Sequence, residues 1–459
     1  DAPKMIEFLV GQGLPSDRTY SWPDYYDEKP GAVKAGRSVV AKYFNVNELG
    51  EWKKRLRPGF MEMPASMEEL LALPYYKKLS SSRKMFAKLI GRIILSKLTG
   101  KHYTAAGAAL QGRMLQASLK AGVDIRPESP VSELLVENGV VSGVVTVNNG
   151  KPWRVGAAMG VLVNAGGFAK NRKLREQYQP GTSPDWSSAA PCDTGEMIEE
   201  MMRHGAAIAQ MEEMVGNQCT LPPGTKPDDI KQGIQAVASK PHALLVDQSG
   251  VRYMNEGGSY MAFCKGMLER NKTVPATPSW AVFDSQYLAK YMIAGTFPGK
   301  KKPKSWYDSG YLKKADTIEE LAKLINVDPL ALKNTVERWN KFSDQGRDED
   351  FHRGERDYDQ WLGDQTKQGV FKNLGRIDQG PFYAVDCYPG DVGTYGGVVT
   401  DEYARVLRND GSVISGLYAT GVSTASVMGR TYAGAGSSVG PALTFGFVAA
   451  KHAVGAEGG

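Results

Sequence analysis

A glycine-rich segment that follows a run of strands limits the fold of this chain more than any other feature of its sequence. Apolar runs at 131–136, 140–147 and 155–163 are separated by turn residues, which predicts three consecutive strands. The last strand ends in NAGGF at 164–168. Taken alone, this turn is either a tight bend in an α/β core or a place where the backbone approaches a ligand.

A second glycine-rich segment lies near the other end of the chain, at 416–450. An apolar strand at 417–420 runs into Gly421, and further glycines precede an apolar helix that is expected to begin near Pro441. The N–H groups at such a helix N-terminus attract anionic or polar ligands. The residues expected beneath the ligand are Ser437, Ser438 and Val439.

The two glycine-rich segments together favour one shared cofactor site over two unrelated turns. No G-x-G-x-x-G follows a predicted strand, so the usual dinucleotide fingerprint is missing. The chain is α/β (α+β) by its pattern, a Rossmann-like domain with a second domain inserted. The expected parts are a first piece of the cofactor domain at 1–219, a substrate domain at 220–393, and a second piece of the cofactor domain at 394–459.

Local patterns within these parts predict individual elements. Apolar residues at three- and four-residue spacing predict helices at 199–208 and 317–342. A short apolar strand is predicted at 243–246, and it is followed by the turn DQSG.

Composition excludes several classes of protein. Hydrophobic residues make up 42% of the 459 residues and charged residues 23%, which is typical of globular domains. The net charge of +6 is too small to indicate nucleic-acid binding. Neither the four cysteines nor the five histidines fall at metal-ligand spacings, so no metal site and no disulfide framework is expected.

A basic amphipathic segment occupies 77–101. Apolar residues line one helical face, and Lys84, Lys88 and Arg92 lie on a flanking face. Such a helix either lies on an anionic membrane surface or covers the protein core, and the sequence favours neither. The expected location is cytoplasmic, with attachment to the inner face of the membrane left open.

Five pieces of the chain together resemble the signature regions of FAD-dependent 3-ketosteroid Δ1-dehydrogenases. The resemblance covers nearly the whole chain except about 62–104, which looks like an insertion. Part of it is shared with the wider fumarate reductase and succinate dehydrogenase flavoprotein superfamily. The pieces are SWPDYY (21–26), VRYMNEGGSY (251–260), DEDFHRGERDYD (348–359), GTYGGVVTD (393–401) and GRTYAGAGSSVGPALTFGF (429–447).

The resemblance implies removal of hydrogens from C1 and C2 of a 3-ketosteroid. It implies that the Tyr432 hydroxyl and the Gly436 N–H donate hydrogen bonds to the C3 carbonyl. It also implies that Tyr260 is the base and that Tyr25 assists this base. It implies FAD as the hydride acceptor and an external acceptor for the electrons. The FAD contacts that it implies are Gly166, Gly167, Gly421, Ser437, Ser438 and Val439.

Members of the family carry an N-terminal segment that holds the FAD pyrophosphate, and the resemblance begins after it. We therefore expect either a fragment or a second polypeptide that completes the FAD site. The enzymatic alternatives are a fumarate-reductase-like flavoprotein and a Δ4-(5α)-ketosteroid dehydrogenase. An inactive membrane-associated binding protein is the alternative from another class.

Overall fold

The computed structural model describes residues 1–59, 62–76, 78–148 and 150–456. Lys77 of the basic segment and Asn149 of a predicted turn lie outside the described residues. The chain forms two compact units. The first comprises Asp1–Asp24, Val33–Pro130 and Gly434–Gly436, and the second comprises Tyr25–Ala32, Val131–Ala433 and Ser437–Gly459.

The first unit is mainly helical. Strands β1 and β2 pair antiparallel, as do β3 and β4. Helix α4 and the 3₁₀ turn at Val46–Lys54 pack on a small core that includes Phe44, Leu49 and Ala109. The elements are α1 (Ala2–Gly11), β1 (Ser16–Arg18), β2 (Val39–Ala41), β3 (Phe44–Asn45), α2 (Met67–Ala72), α3 (Ser80–Leu98), β4 (Tyr103–Thr104) and α4 (Ala106–Lys120), with 3₁₀ turns at Val46–Lys54 and Leu73–Tyr75.

Helix α3 confirms that the basic segment is helical. Leu89 is buried, whereas Leu95 and Leu98 are 60% and 80% exposed. Its apolar residues therefore divide between buried and exposed positions. Among the described residues, no helix is long and apolar enough to cross a membrane.

The second unit contains the remaining strands and helices. The strands are β5 (Glu133–Glu137), β6 (Val140–Asn148), β7 (Lys151–Gly156), β8 (Val161–Val163), β9 (Ile208–Ala209), β10 (Met214–Gly216), β11 (Cys219–Thr220), β12 (Gln232–Gly233), β13 (Ala243–Val246), β14 (Ser279–Asp284), β15 (Lys313–Ala315), β16 (Phe382–Cys387), β17 (Asp391–Thr394), β18 (Gly397–Val398), β19 (Arg405–Leu407) and β20 (Val413–Ala419). The helices are α5 (Arg172–Tyr178), α6 (Glu196–Arg203), α7 (Gln235–Ala238), α8 (Tyr260–Arg270), α9 (Ser285–Lys290), α10 (Lys304–Asp308), α11 (Ile318–Leu324), α12 (Pro329–Gln345), α13 (Asp357–Leu362) and α14 (Val439–Ala453). The 3₁₀ turns are Pro184–Trp186, Gly369–Lys372 and Gly421–Ser423.

Strands β5, β6 and β7 form the antiparallel meander that the sequence predicts. Asn138 and Gly139 connect β5 to β6 with positive φ at both residues, the geometry of a tight hairpin turn. The prediction of one strand at 155–163 is wrong. The chain breaks at Gly160, whose φ is +109°, so that β8 can leave the meander and join another sheet.

That other sheet has the order β19-β20-β8, with β8 and β20 parallel. Strand β20 contains most of the predicted strand 417–420, and it leads through Gly421 toward α14. Helix α14 begins at Val439, two residues before the predicted start. A parallel strand pair followed by a helix confirms the α/β class.

A further sheet, with the order β13-β14-β16-β15, forms the centre of the region 243–387. Alternating residues of β13 face opposite sides: Ala243 and Leu245 pack in one apolar cluster, and Leu244 and Val246 in the other. Helix α8 packs on the first side, and α11 and α12 on the second. This core holds the N-terminus of α8 in place.

Two predicted helices have different bounds. The predicted helix 317–342 is two helices, because Asp328 and Pro329 start a new one: the Asp328 carboxylate accepts a hydrogen bond from the Ala331 N–H. The predicted helix 199–208 begins earlier, after Gly195, and ends at Arg203, and its last predicted residue lies in β9.

Candidate active site

Tyr260 is the first residue of α8, and a buried charge network shapes the turn that precedes it. Arg252 donates to the Glu256 carboxylate (Nη2–Oε2 2.7 Å) and to Asp348 (Nη2–Oδ2 2.8 Å). Glu256 also accepts a hydrogen bond from the Leu245 N–H of β13. The network thereby ties the turn to the central sheet.

The same network rests on an aromatic ring. The guanidinium groups of Arg252 and Arg353 each lie 4.7 Å from the ring centre of buried Trp339. Arg353 also contacts Glu256 at 3.3 Å and donates to the Ala243 carbonyl. The cations and carboxylates are all buried and mutually paired, so the turn cannot shift without leaving a charge unpaired.

Tyr25 and Tyr432 reach the same place from distant parts of the sequence. The Tyr25 N–H donates to the Ala433 carbonyl at 2.9 Å, which joins the two tyrosine-bearing segments directly. The Tyr432 hydroxyl lies 3.5 Å from the Ser438 hydroxyl. Both tyrosines are buried, whereas Tyr260 is partly exposed.

The rings of these tyrosines contact one another. Ring centres lie 5.0 Å apart for Tyr25 and Tyr260, 5.8 Å for Tyr25 and Tyr432, and 5.4 Å for Tyr260 and Tyr432. Tyr358 packs on Tyr25 at 4.9 Å, and Tyr395 lies 6.0 Å from Tyr432. We call these five residues the tyrosine cluster.

Burial and the neighbouring phenols raise the pKa of Tyr260 well above its ordinary value. The causes, in order, are desolvation, the charge that Tyr25 and Tyr432 would carry, a hydrogen bond with Tyr25, and the charge of Tyr358. Tyr260 is therefore a neutral phenol near pH 7. To act as a base it must first lose its own proton, and a hydrogen bond donated to its oxygen stabilises the phenolate that results.

Sequence reasoning missed several members of this site. Tyr358 and Tyr395 lie within segments that carry the resemblance, but no spacing rule connects them to Tyr25. Tyr26 also lies close by: burial raises its pKa, and the neighbouring Ser259 hydroxyl and Tyr432 backbone partly oppose this. Burial raises the pKa of Tyr395 to about 12.

Gly436 belongs to the first unit, within Gly434–Gly436. Its φ is +94°, and no atom lies within 4 Å of where a Cβ would stand. The backbone conformation requires glycine, while the surrounding space does not. Its role as an N–H donor stays a prediction.

A cavity of about 310 Å³ lies beside the tyrosine cluster, and Tyr395 belongs to both. Gly421, Ser437 and Ser438, which the sequence assigns to the cofactor, line it. Val439 does not line it and is exposed at the start of α14. The other lining residues are Thr400, Asp401, Glu402, Ala419, Thr420, Val422, Thr424, Ala425, Ser426, Val427, Pro441, Ala442 and Phe445.

The two glycine-rich segments meet at the edge of this cavity. The Ser423 hydroxyl accepts a hydrogen bond from the Ala165 N–H and donates one to the Gly166 carbonyl. A Cβ at Gly167 would collide with the Thr394 hydroxyl and lie 3.2 Å from the Val422 carbonyl oxygen, and a Cβ at Gly421 would lie only 2.5 Å from Asn164 Oδ1. The close approach explains why glycine stands at both turns.

The lining residues fit part of a flavin. Serine and threonine hydroxyls and the uncapped N-terminus of α14 offer hydrogen bonds, and Phe445 and Ala442 form an apolar wall for a ring system. Glu402 suits a hydroxyl donor and disfavours a phosphate group. The cavity therefore suits the isoalloxazine and ribityl parts of FAD better than its pyrophosphate. Within the described residues, no group of three His, Cys, Asp or Glu side chains is placed to hold a metal ion.

Comparisons with known proteins identify FAD-binding relatives. A family model described as FAD binding domain matches residues 1–439. A 3-oxosteroid 1-dehydrogenase of Mycobacterium tuberculosis is 36% identical, over 98% of this chain and 82% of its own length. The 3-oxosteroid 1-dehydrogenase of Mycolicibacterium smegmatis is 35% identical, over 98% of this chain and 80% of its own.

A solved structure has the same fold over nearly the whole chain. It is the 3-ketosteroid delta1-dehydrogenase from Sterolibacterium denitrificans in complex with 1,4-androstadiene-3,17-dione. The sequence identity is 31%, the TM-score is 0.93, and the match covers 99% of this chain and 84% of that one.

Proposed function

This chain belongs to the 3-oxosteroid 1-dehydrogenase family of FAD-binding proteins, and from that premise we propose that it introduces the C1–C2 double bond into the A ring of a 3-ketosteroid. The reaction removes a proton from C2 and a hydride from C1. The C2 hydrogen is acidic only because it is adjacent to the C3 carbonyl. The site must therefore bind that carbonyl, hold a base near C2 and place the hydride acceptor near C1.

Tyr260 is the proposed base. It is the most exposed of the three central tyrosines, which favours access of substrate to its side chain. Because the pKa of Tyr260 is raised, Tyr260 must first release its phenolic proton to solvent, and Tyr25 then donates a hydrogen bond to the phenolate that takes the C2 proton. The hydrogen bond between these two phenols provides the contact through which this happens.

Tyr432 and the Gly436 N–H are the proposed donors to the C3 oxygen. Negative charge develops on this oxygen as the C2 proton leaves, and donors that are fixed beforehand stabilise it most. Tyr432 is buried and its ring is held between Tyr25, Tyr260 and Tyr395. Its hydroxyl is thus oriented without further ordering of the side chain.

FAD, when bound, supplies the hydride acceptor. The proposed contacts are the residues that the resemblance assigns to it: Gly166, Gly167, Gly421, Ser437, Ser438 and Val439. An external acceptor then removes the electrons. The fumarate-reductase-like alternative is less well supported, because the site is lined by phenols where two substrate carboxylates would need cations.

The observation that carries this proposal is the contact of Tyr25, Tyr260 and Tyr432 beside the cavity that suits a flavin. The test is anaerobic mixing of the flavin-loaded protein with a 3-ketosteroid. We expect the flavin absorbance to bleach, and the product to carry a new C1–C2 double bond by mass and proton spectra. Product with a C4–C5 double bond would support the alternative of a Δ4-(5α)-ketosteroid dehydrogenase. An unchanged flavin absorbance would support the alternative of an inactive binding protein.

Further polypeptide is proposed to complete the FAD site, either as another segment or as a second chain. Among the described strands, β8 pairs with β20 and leaves its other edge free. Leu162 of β8 is 43% exposed, and most of the apolar helix α14 is only half-buried. Parallel sheets are normally covered on both faces, so this surface suits a packed strand and helix.

The corresponding test is the FAD content of the purified 459-residue chain. The described cavity offers few groups for a pyrophosphate, so we expect FAD to dissociate during gel filtration. Retention of one FAD per chain would contradict the proposal that further polypeptide completes the FAD site.

A membrane partner is proposed for α3. Ile90, Ile94, Leu95 and Leu98 are exposed on this helix, next to exposed Lys84, Lys88 and Lys97. Apolar side chains flanked by lysines suit the headgroup region of an anionic bilayer. Peripheral attachment would place the enzyme where a poorly water-soluble steroid accumulates.

A further inference from the structure

Arg356 links the segment 354–359 to the backbone that carries Tyr25. Its Nη2 donates to the Tyr25 carbonyl at 2.8 Å, and its Nε donates to Asp27 Oδ1 at 3.0 Å. The Asp27 side chain is only 5% exposed and that of Arg356 25%, so the pair is largely shielded from water. A planar guanidinium can hold these two acceptors at once, which a lysine ammonium does less well.

Asp27 extends this contact to a second ring of the tyrosine cluster. Its Oδ2 accepts a hydrogen bond from the Tyr358 N–H at 3.3 Å, and the Tyr358 ring packs on Tyr25. Arg356 and Asp27 therefore fix Tyr25 through its own carbonyl and through the ring that covers it.

The same segment also holds the turn before Tyr260. Asp359 Oδ2 accepts from Asn255 Nδ2 at 2.9 Å and from the Gly354 N–H at 3.0 Å. Asn255 Oδ1 in turn accepts from the Gly257 N–H within that turn. Residues 354–359 thus contact both segments whose tyrosines must meet.

We propose that Arg356 is a positioning residue, which holds the Tyr25 hydroxyl against Tyr260 during proton removal from C2. This inference rests on the proposed function. Arg356 acts through Tyr25 and not on the substrate, so its loss changes the rate of the chemical step and leaves steroid binding nearly unchanged. Its effect also depends on the presence of the Tyr25 hydroxyl.

A double-mutant cycle tests this on the flavin-loaded protein, with Arg356→Gln, Tyr25→Phe and the combined variant. The readouts are kcat, KM and exchange of the C2 hydrogen with solvent deuterium. We expect Arg356→Gln alone to lower kcat by about 10- to 100-fold, with KM within about twofold. In the Tyr25→Phe background the same change should lower kcat by less than about twofold, because the hydroxyl that it positions is gone.

Two further variants separate positioning from general loss of structure. Arg356→Lys keeps the charge and one donor, and should recover part of the lost kcat. Arg338→Gln is the matched control, because Arg338 forms an exposed two-pronged pair with Asp350 away from the tyrosines, and it should leave kcat unchanged. If Arg356→Gln does not fold, Asp27→Asn replaces it in the cycle and must show the same dependence on Tyr25.

Equal losses in both backgrounds, or a loss confined to KM, would overturn the proposed role of Arg356. A wild-type protein that neither exchanges the C2 hydrogen nor bleaches its flavin would instead overturn the proposed function. The expected non-additive cycle supports both.

Discussion

The rings of Tyr260 and Tyr25 meet in a T-shaped arrangement, with the ring centres 5.0 Å apart and the planes at 74°. Tyr25 is at the same time stacked near Tyr432, at 22° between planes. Tyr25 thus contacts both the proposed base and the proposed carbonyl donor, and those two rings also contact each other at 5.4 Å. Substitutions of the three tyrosines should therefore have distinct effects.

Tyr260→Phe should abolish both C2 proton exchange and flavin reduction while steroid still binds. The substitution removes the base but leaves the carbonyl donors and the shape of the pocket. Stopped-flow bleaching with 1-deuterated and 2-deuterated 3-ketosteroid, together with a steroid binding titration, measures each step. Wild-type bleaching by this variant would show that Tyr260 is not the base.

Tyr432→Phe should retain some turnover. The change removes one of two donors to the developing enolate, and such a loss typically costs about 100- to 1,000-fold in rate. Single-turnover bleaching is the appropriate measurement, because it isolates the chemical step. A loss as complete as that of Tyr260→Phe would indicate that Tyr432 takes part in proton transfer itself.

Tyr25→Phe should be milder than Tyr260→Phe and should shift the pH–rate profile to higher pH. Desolvation first, and then the phenols Tyr25, Tyr432 and Tyr358, raise the pKa of Tyr260, so the wild-type rate should already rise with pH above neutrality. A Tyr25 hydroxyl that donates to the forming phenolate lowers the pKa that governs catalysis, and its removal raises that pKa. In the resting state, by contrast, the hydrogen bond with Tyr25 raises the pKa of Tyr260. A shift to lower pH would therefore mean that Tyr25 only holds the neutral phenol.

Replacing Lys84, Lys88 and Lys97 by Glu should release the protein from vesicles of phosphatidylcholine and phosphatidylglycerol. Each basic residue near an anionic surface contributes about 1 kcal/mol. Arg92 is left unchanged, because it pairs with Glu69 and is half-buried, so its replacement would also disturb the fold.

The matched control for the vesicle experiment changes three exposed lysines elsewhere to Glu, with the same change in net charge. These are Lys272, Lys323 and Lys341. Co-sedimentation that is lost equally in both triple variants, or in neither, would contradict a role for α3.

Gly421→Ala should weaken FAD binding and lower the free energy of unfolding by about 1–3 kcal/mol. The φ of Gly421 is +68°, and the added Cβ would lie 2.5 Å from Asn164 Oδ1. Flavin fluorescence titration and thermal unfolding measure the two effects. Gly91→Ala in α3 is the control, since no atom lies within 4 Å of its Cβ position and alanine favours a helix.

The sequence predicts the features that local physics decides. Glycine at a positive φ, Asn138-Gly139 as a hairpin turn and the apolar helix after 436 all follow from neighbours in the chain. The prediction of one helix at 317–342 missed the break at Asp328, although its signal, the Asp-Pro pair at a helix start, is also local.

The candidate site could be predicted only in part, because its contacts are distant in sequence. Tyr358 and Tyr395 have no local pattern that marks them, and their proximity to Tyr25 and Tyr432 depends on how the second unit packs. Arg356 is equally hidden, since its partner Asp27 lies at the other end of the chain. The raised pKa of Tyr260 results from burial and could not be read from composition.

The wide spacing of the tyrosine cluster also has a kinetic consequence. Its rings come from residues 25, 260, 358, 395 and 432, so the site closes only after long stretches of chain have come together. Closing such long loops is slow, and contacts of this kind form late in folding. A protein that regains steroid oxidation after dilution from denaturant has therefore formed its slowest long-range contacts. The time at which activity returns thus marks the end of folding in the second unit.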